Sequence, residues 1–295
     1  MKNLFRKTNC ETCGKSYDPT SPACPYCGEK GPYFNEAEQF ANHIHCGWVR
    51  NLVFFLIGFA GFQIAGLLVS IVIEIAIVAQ NPGASESELS ILIAQFSESA
   101  GGSLIVNFVA YAITIAALLS VLWPYLKDVG VYFKKGKTYG YGFLFAGVLL
   151  AFSYIWAVIS YCINPDATVS ANQDTINAIV VGYPLASLIL FGFLGPISEE
   201  IAYRLGLFSL LKRWNKVAAY IIAPLIFGLI HFGWTSIGTD AVFNELLNIP
   251  DYIFAGFVLC YVYDKYGIGA STVAHIGNNV TGILLSIIQL ALKNQ

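Results

Sequence analysis

The chain has 295 residues, of which 56% are hydrophobic and 12% are charged, and its formal net charge is -2. Its mean hydropathy is +0.63. A composition this apolar excludes an ordinary soluble domain and indicates lipid-facing helices. The near-neutral charge gives no sign of a nucleic-acid partner. We therefore expect an all-α polytopic membrane protein, since lipid offers no hydrogen-bond partners to strand edges.

The polar N-terminal segment contains two Cys-x-x-Cys pairs, each followed by Gly: Cys10 and Cys13, then Cys24 and Cys27. Four thiolates on two tight turns can bind one zinc ion tetrahedrally, and the ion supplies folding energy that so small a piece lacks. We predict a zinc-ribbon domain over residues 1–31 and a linker over 32–51. The alternatives are two disulfides, which a reducing cytoplasm disfavours, and a redox-active dithiol. Four cysteine ligands leave no open position, so the predicted zinc is structural.

The other cysteines and the first histidines receive no catalytic role. Cys46, Cys162 and Cys260 are expected to behave as small hydrophobic side chains. His43 and His45 precede the first apolar segment in a polar linker. Solvated or interfacial imidazoles are expected there, and additional zinc ligation is the alternative.

A membrane-spanning helix needs about 20 mainly apolar residues. Residues 52–295 are predicted to form a transmembrane domain of about seven helices, one of them short. The predicted spans are Leu52–Val78, Leu104–Trp123, Tyr141–Ile163, Pro184–Pro196, Val217–Trp234, the short Tyr252–Tyr263, and Ala270–Leu292.

Basic residues in the short connections predict the orientation, because Lys and Arg are retained on the cytoplasmic side. They follow the second, fourth and sixth predicted spans: Lys127, Lys134, Lys135, Lys137, Lys212, Arg213, Lys216 and Lys265. The connections over residues 80–101, 164–182 and 235–250 contain acids but no Lys or Arg. We expect these to face outward, with the N-terminus and the ribbon in the cytoplasm. A bacterial cytoplasmic membrane is the expected location.

Ionisable side chains interrupt the apolar segments in the second half of the chain. Such a group costs about 2.5–3.5 kcal/mol at the bilayer centre and marks a functional site by default. Glu200 and Arg204 are spaced i, i+4, which predicts an ion pair on one helix face. Glu199 lies about 100° around the helix and has no basic residue at i+4. It is the free acid, and a general base is the role that suits it.

Two histidines and an asparagine complete a set that can hydrolyse a peptide bond. His231 lies near Gly228, where a small residue lets another helix approach closely. His275 and Asn279 share a helix face at i, i+4. A carboxylate and an imidazole can activate water, while a neutral amide donor such as Asn279 stabilises the oxyanion of the tetrahedral intermediate.

Three motifs in this order, Glu-Glu-x-x-x-Arg, Phe-x-x-x-His and His-x-x-x-Asn, resemble those of the CPBP intramembrane proteases. That family includes the CAAX prenyl endopeptidases and bacteriocin-processing or immunity proteins. The resemblance covers about residues 184–287, the predicted protease core. It implies these roles: Glu199 as the base, His231 positioning the same water, His275 and Asn279 forming the oxyanion hole, and Glu200 and Arg204 bracing the site.

Several alternatives stay open at this point. A metal-free mechanism is favoured over a catalytic zinc held by Glu199, His231 and His275, because no His-Glu-x-x-His arrangement is present. The expected partners are membrane lipid, a membrane-associated peptide or prenylated protein as substrate, and a possible protein partner of the ribbon. The rival functions are a catalytically inactive binding or bacteriocin-immunity protein of the same fold, and a transporter or proton relay. No inverted repeat supports the transporter.

Overall fold

The computed structural model describes residues 4–293. Residues 1–3 of the predicted ribbon and residues 294–295 of the predicted transmembrane domain lie outside this range. The N-terminal unit contains a two-stranded antiparallel hairpin, β1 (Thr8–Asn9) and β2 (Ser16–Tyr17). Its four cysteines cluster at two turns, which fits the predicted ribbon-like domain.

Helices make up almost all of the rest of the described chain. The longer helices are, in order, α1 (Trp48–Gln80), α2 (Glu86–Glu98), α3 (Ala100–Phe133), α4 (Gly136–Ile163), α5 (Ala171–Gly182), α6 (Pro184–Trp214), α7 (Lys216–Leu229), α8 (Val242–Tyr266) and α9 (Ile268–Lys293). Short helical segments also lie at Phe34–Ala37, Glu38–Phe40 and Trp234–Ser236.

The predicted fold class is confirmed, although the lengths of three helices were wrongly assigned. Six helices, α1, α3, α4, α6, α8 and α9, are long and apolar enough to cross a membrane, and α7 is a shorter apolar helix. The sequence placed the short span at Tyr252–Tyr263, but α8 has 25 residues and contains Pro250 in its interior. The short helix is α7, with 14 residues. The span predicted to end at Pro196 continues to Trp214.

Helix α6 lies at the centre of the bundle. Within its most apolar window 56% of the residues are buried, against 6% for α1. The core around it is built from large side chains that are fully buried: Phe54, Leu118, Leu205, Phe208, Phe227 and Tyr263. Helix α6 also contains two π-helical stretches, Leu188–Leu194 and Glu200–Phe208. Such wide turns are rare and occur frequently at functional sites.

The bundle has two distinct ends. The ribbon end holds the start of α1 and the α3–α4, α6–α7 and α8–α9 connections, and the far end holds the other connections. At the ribbon end, Arg213 Nη2 lies 3.0 Å from Asp18 Oδ2, and Arg213 Nη1 donates to Leu4 O at 2.8 Å. Burial alone would raise the pKa of Asp18, but the Arg213 guanidinium and hydrogen bonds from Arg213 and Thr20 outweigh burial and lower it. The N-terminal unit is therefore joined to α6 by a charged contact.

The linker histidine His43 is buried, so the expectation that it is solvated was wrong. Only 4% of the residue is exposed. Its Nε2 lies 3.0 Å from Asp264 Oδ1, and Asp264 also pairs with the buried Lys212. Burial is the main reason that the pKa of His43 is lowered, to about 3, so the ring is neutral at neutral pH. His45 is half-buried beside Thr20, with Nδ1 3.0 Å from its hydroxyl.

Docking of the linker is expected to weaken as the pH falls below about 6.5, the ordinary pKa of histidine. The undocked ring binds a proton there, whereas the docked ring does not until about pH 3. The neutral His43 ring stabilises the docked linker to its full extent above about pH 6.5. Below that value, each pH unit raises the equilibrium constant for undocking by up to about tenfold. Limited proteolysis of the linker between pH 7.5 and 5 measures this change. His43→Gln should reduce the pH dependence to the part contributed by His45, whose pKa burial also lowers. Equal protection of the wild type at both values would contradict the role of His43.

Candidate active site

The two adjacent glutamates lie midway along α6 and not at the end of a span as the sequence suggested. Glu200 and Arg204 are 0% and 1% exposed. Arg204 Nε lies 3.3 Å from Glu200 Oε1, which confirms the predicted i, i+4 ion pair. The Arg204 guanidinium also lies 4.5 Å from the ring centre of Phe227 on α7. The pair thus has both an opposite charge and an aromatic face, which buried charges need to offset their lost hydration.

His275 lies between the two glutamates. Its Nδ1 is 3.0 Å from Glu200 Oε1, and its Nε2 is 3.7 Å from Glu199 Oε2. The Glu200 carboxylate, paired with the Arg204 guanidinium, accepts from the Nδ1–H of His275, which fixes the plane of the ring. The free acid Glu199 retains 19% exposure of its side chain. Glu200 therefore contacts both His275 and Arg204.

His231 lies in the turn that follows α7. Its Nδ1 is 2.7 Å from Phe227 O, so Nδ1 carries the proton and Nε2 has a free lone pair. One face of its ring stacks on Tyr252 of α8, at 4.4 Å between ring centres and 13° between planes. The close approach of α8 that Gly228 was expected to allow is present, because a Cβ on Gly228 would lie 2.5 Å from Ile253. Tyr252 was missed, since a tyrosine in an apolar run gives no signal of its partner.

Asn279 lies on α9 and contacts the first π-helical stretch of α6. Its Nδ2 donates to Phe191 O at 3.0 Å, and its Oδ1 accepts from Asn278 Nδ2 at 3.2 Å. These two bonds fix the orientation of the amide. One of the two amide N–H groups is used by Phe191, so the second is free to donate to a substrate oxygen.

A cavity of about 500 Å³ brings the four predicted catalytic side chains to one surface: Glu199, His231, His275 and Asn279. The volume is in the range of small-molecule and peptide sites, about 300–1,000 Å³. Carboxamides that the sequence analysis did not single out also line it: Asn107, Asn172, Gln173, Asn177, Asn248 and Asn278. The predicted residues therefore share one compartment with polar groups suited to binding a peptide backbone.

The four N-terminal cysteines form a second, separate group. Their sulfur atoms all lie within 4.8 Å of one another, and two pairs, Cys10–Cys27 and Cys13–Cys24, are 3.4 and 3.7 Å apart. Zinc with four bonds of about 2.3 Å would separate its sulfur ligands by about 3.8 Å. All four are free cysteines. Hydrogen bonds, first from the Cys13 backbone, lower the pKa of Cys10, while hydrogen bonds with the neighbouring thiols raise that of Cys27, so the clustered thiols share their protons.

Both turns use glycine where the backbone needs it. Gly14 and Gly28 have φ of +69° and +80°, and their amides donate to the carbonyls of Cys10 and Cys24 at 2.8 and 2.9 Å. Only glycine adopts such φ values without strain. Within residues 4–293, these cysteines are the one group of three or more His, Cys, Asp or Glu side chains whose ligand atoms converge. Glu199, His231 and His275 do not form such a group, and neither His43 nor His45 joins the cysteines.

Comparison with known proteins matches the region of the site. Residues 181–281 match the family described as Type II CAAX prenyl endopeptidase Rce1-like. An uncharacterized protein of Mycoplasma capricolum subsp. capricolum is 28% identical over 113 residues, which are 38% of this chain and 30% of that protein. The UPF0177 protein YvdC of Lactococcus lactis subsp. lactis is 25% identical over 142 residues, 48% of this chain and 50% of that protein.

The matches to these curated relatives span half of their length or less. No solved structure matches the chain significantly. The family match contains all three motifs, from the Glu-Glu pair to Asn279. The predicted resemblance to the CPBP family, which includes the CAAX prenyl endopeptidases, is therefore confirmed over residues 181–281 and supports a CAAX-type intramembrane protease fold.

Proposed function

We propose that the chain is an intramembrane endopeptidase that hydrolyses a peptide bond of a membrane-associated substrate. The observation that carries the proposal is the position of His275 between the braced Glu200 and the free Glu199, at 3.0 and 3.7 Å, on the wall of the cavity that also reaches His231. An inactive binding protein has no need for a free carboxylate beside an oriented imidazole in a membrane.

In the proposed reaction, Glu199 removes a proton from a water molecule that also donates to Nε2 of His231. The resulting hydroxide attacks the carbonyl carbon of the substrate, and the tetrahedral intermediate forms. Its oxyanion accepts hydrogen bonds from His275 Nε2–H and from the second N–H of Asn279. His275 donates there in the form in which both ring nitrogens carry a proton, with Nδ1–H held by Glu200. When the C–N bond breaks, Glu199 returns its proton to the leaving amine.

Hydrolysis of fluorescence-quenched peptides by the purified protein in detergent tests this proposal. Asn279→Ala is expected to lower kcat about 10²–10³-fold with a small change in KM, because an oxyanion donor acts in the transition state. His231→Ala is expected to lower kcat by a similar factor. Unchanged hydrolysis in both variants would contradict the assigned roles, and no hydrolysis by the wild type would favour a binding or immunity protein.

The N-terminal cysteines are proposed to hold one structural zinc, and the catalytic site to work without a metal. The purified chain should then contain about one zinc ion, since four thiolates saturate a tetrahedral ion. Elemental analysis should show its loss in a Cys13→Ser, Cys27→Ser variant and its retention in His231→Ala. A second zinc in the wild type that is missing from His231→Ala would establish a catalytic metal and overturn the metal-free mechanism.

A further inference from the structure

The catalytic cavity is closed towards the ribbon end of the bundle. Next to Glu200 in that direction come Arg204, Phe208, Lys212 and Tyr263, which are all fully buried. Ser209 continues this layer, because its hydroxyl donates to Arg204 O at 2.9 Å and lies 2.8 Å from the Tyr263 hydroxyl. No lining residue of the cavity comes from the connections at the ribbon end. A substrate cannot reach Glu199 through this layer without unfolding it.

The cavity instead extends to the far end. Its outer wall includes Asn172 and Asn177 of α5, the helix that lies in the connection between α4 and α6. Asn248, near the start of α8, also lines it, and all three side chains are half-buried. Helix α5 is held there by Glu245 of α8, which accepts from the Ala171 amide at 2.6 Å. The opening is thus lined by helices that are held in place by hydrogen bonds at the far end.

The charges of the two ends assign this opening to a side of the membrane. Eight Lys and Arg residues lie in the connections at the ribbon end or in the helix turns next to them, whereas the connections at the far end carry acids and no Lys or Arg. Lys293, at the end of α9, is the exception. The rule that basic loops stay inside places the ribbon in the cytoplasm. Four free thiols in a metal-binding arrangement agree with a reducing compartment. The far end, with the opening, then faces outward.

The charge of the cavity indicates what it takes from that side. Among its described lining residues none is Lys or Arg, and Asp251 is a carboxylate additional to Glu199. Ser153 donates to Asp251 at 2.8 and 3.0 Å, and among the side chains that the structure describes no Lys, Arg or His forms an ion pair with Asp251. Asp251 directly precedes Tyr252, whose ring stacks on His231. An unpaired carboxylate that lines the same cavity as the reacting groups attracts a cation and repels a C-terminal carboxylate.

We propose that the substrates are extracytoplasmic peptide segments, cleaved internally, that carry a Lys or Arg next to the scissile bond, where Asp251 binds it. This inference rests on the proposed endopeptidase function. It disfavours a cytoplasmic CAAX tail on two grounds, since such a tail lies on the closed side and ends in a free carboxylate close to the bond to be cut. The carboxamides at the opening bind the peptide backbone.

The side of the opening is tested by labelling in intact cells with a membrane-impermeant maleimide. Cys162, near the far end of α4, is exposed, and so are Cys13 and Cys27 of the ribbon. We expect labelling of Cys162, and of Asn172→Cys in a Cys162→Ser background. The ribbon cysteines should react only after permeabilisation and removal of metal. Labelling of the ribbon in intact cells, or protection of Asn172→Cys until the cells are opened, would overturn the proposal without bearing on hydrolysis.

The charge preference is tested with matched peptides that carry Lys, Gln or Glu beside the cleavage site. The wild type should cleave the Lys peptide with a kcat/KM at least about tenfold above the Gln peptide, and the Glu peptide more slowly still. Asp251→Asn, which keeps the hydrogen bond from Ser153, should reduce the Lys-to-Gln ratio to about one. An unchanged ratio, or a preference for Glu, would overturn the assignment of Asp251. No cleavage of any peptide, also in detergent, would instead count against the proposed function.

Discussion

Replacing Glu199 by Gln is expected to lower kcat/KM about 10²–10⁴-fold, which is the contribution of a general base. The amide has the size of the carboxylate but cannot take a proton from water. Glu199 forms no ion pair with Arg or Lys among the described residues, and its contact with His275 is long, at 3.7 Å. The fold should therefore tolerate the change. Initial rates on a quenched peptide, with the thermal midpoint measured on the same preparation, separate chemistry from stability.

Glu98→Gln is the matched control for this experiment. Glu98 is the last residue of α2, exposed at the far end and outside the cavity. The same change of chemistry there should leave kcat/KM within about twofold. A Glu199→Gln variant with the activity of Glu98→Gln would remove the general base from the mechanism.

Replacing Arg204 by Met is expected to destabilise the protein by about 3–5 kcal/mol, because it leaves the buried Glu200 without its cation. The lost ion pair is 3.3 Å long, and both partners are almost completely excluded from solvent. Activity should fall as well, since Glu200 orients His275 at 3.0 Å. Thermal unfolding in detergent measures the first effect, and kcat of the folded fraction measures the second.

The double variant Glu200→Gln, Arg204→Met isolates the cost of the unpaired charge. With both charges removed, no buried ion lacks a partner, so this variant should be more stable than Arg204→Met alone. Its kcat should stay low, because a neutral amide holds His275 less firmly than a carboxylate does. Equal destabilisation by the single and double variants would show that packing, and not charge, governs this position.

The helical fold and the chemical motifs could be predicted because the membrane constrains them strongly. Lipid permits helices and requires a reason for each buried charge, so Glu199, Glu200 and Arg204 were identifiable from one sequence. The lengths of α6 and α8 could not be predicted in the same way. Polar residues in the centre of α6 and Pro250 inside α8 resemble segment ends, and only packing against neighbouring helices keeps these segments helical.

Two helices of the far end were missed although the sequence contains their start signals. Ser85 caps α2 and exchanges hydrogen bonds with Glu88, which forms a capping box. Ser170 caps α5 and accepts from the Gln173 amide. The pattern of Ser followed three residues later by Glu or Gln predicts a helix start. At Ser170 this pattern predicts a helix, and not a loop, beside the cavity.

The long-range contacts of the histidines could not be predicted. His43 is buried because Asp264, more than 200 positions away, comes within 3.0 Å of it. His231 is stacked on Tyr252 because α7 and α8 pack closely at Gly228. Spacing along one helix reveals a pair such as Glu200 and Arg204, whereas contacts between helices depend on crossing angles that one sequence does not contain.

Cleavage of a peptide library by the purified protein, read by mass spectrometry, tests the central claim most directly. Wild type and Glu199→Gln are compared at equal amounts of folded protein, with peptides derived from membrane-associated and extracytoplasmic segments. The account predicts new termini with the wild type that are absent with Glu199→Gln. The same fragments from both proteins, or none from either, would contradict the claim that Glu199 activates water for peptide hydrolysis.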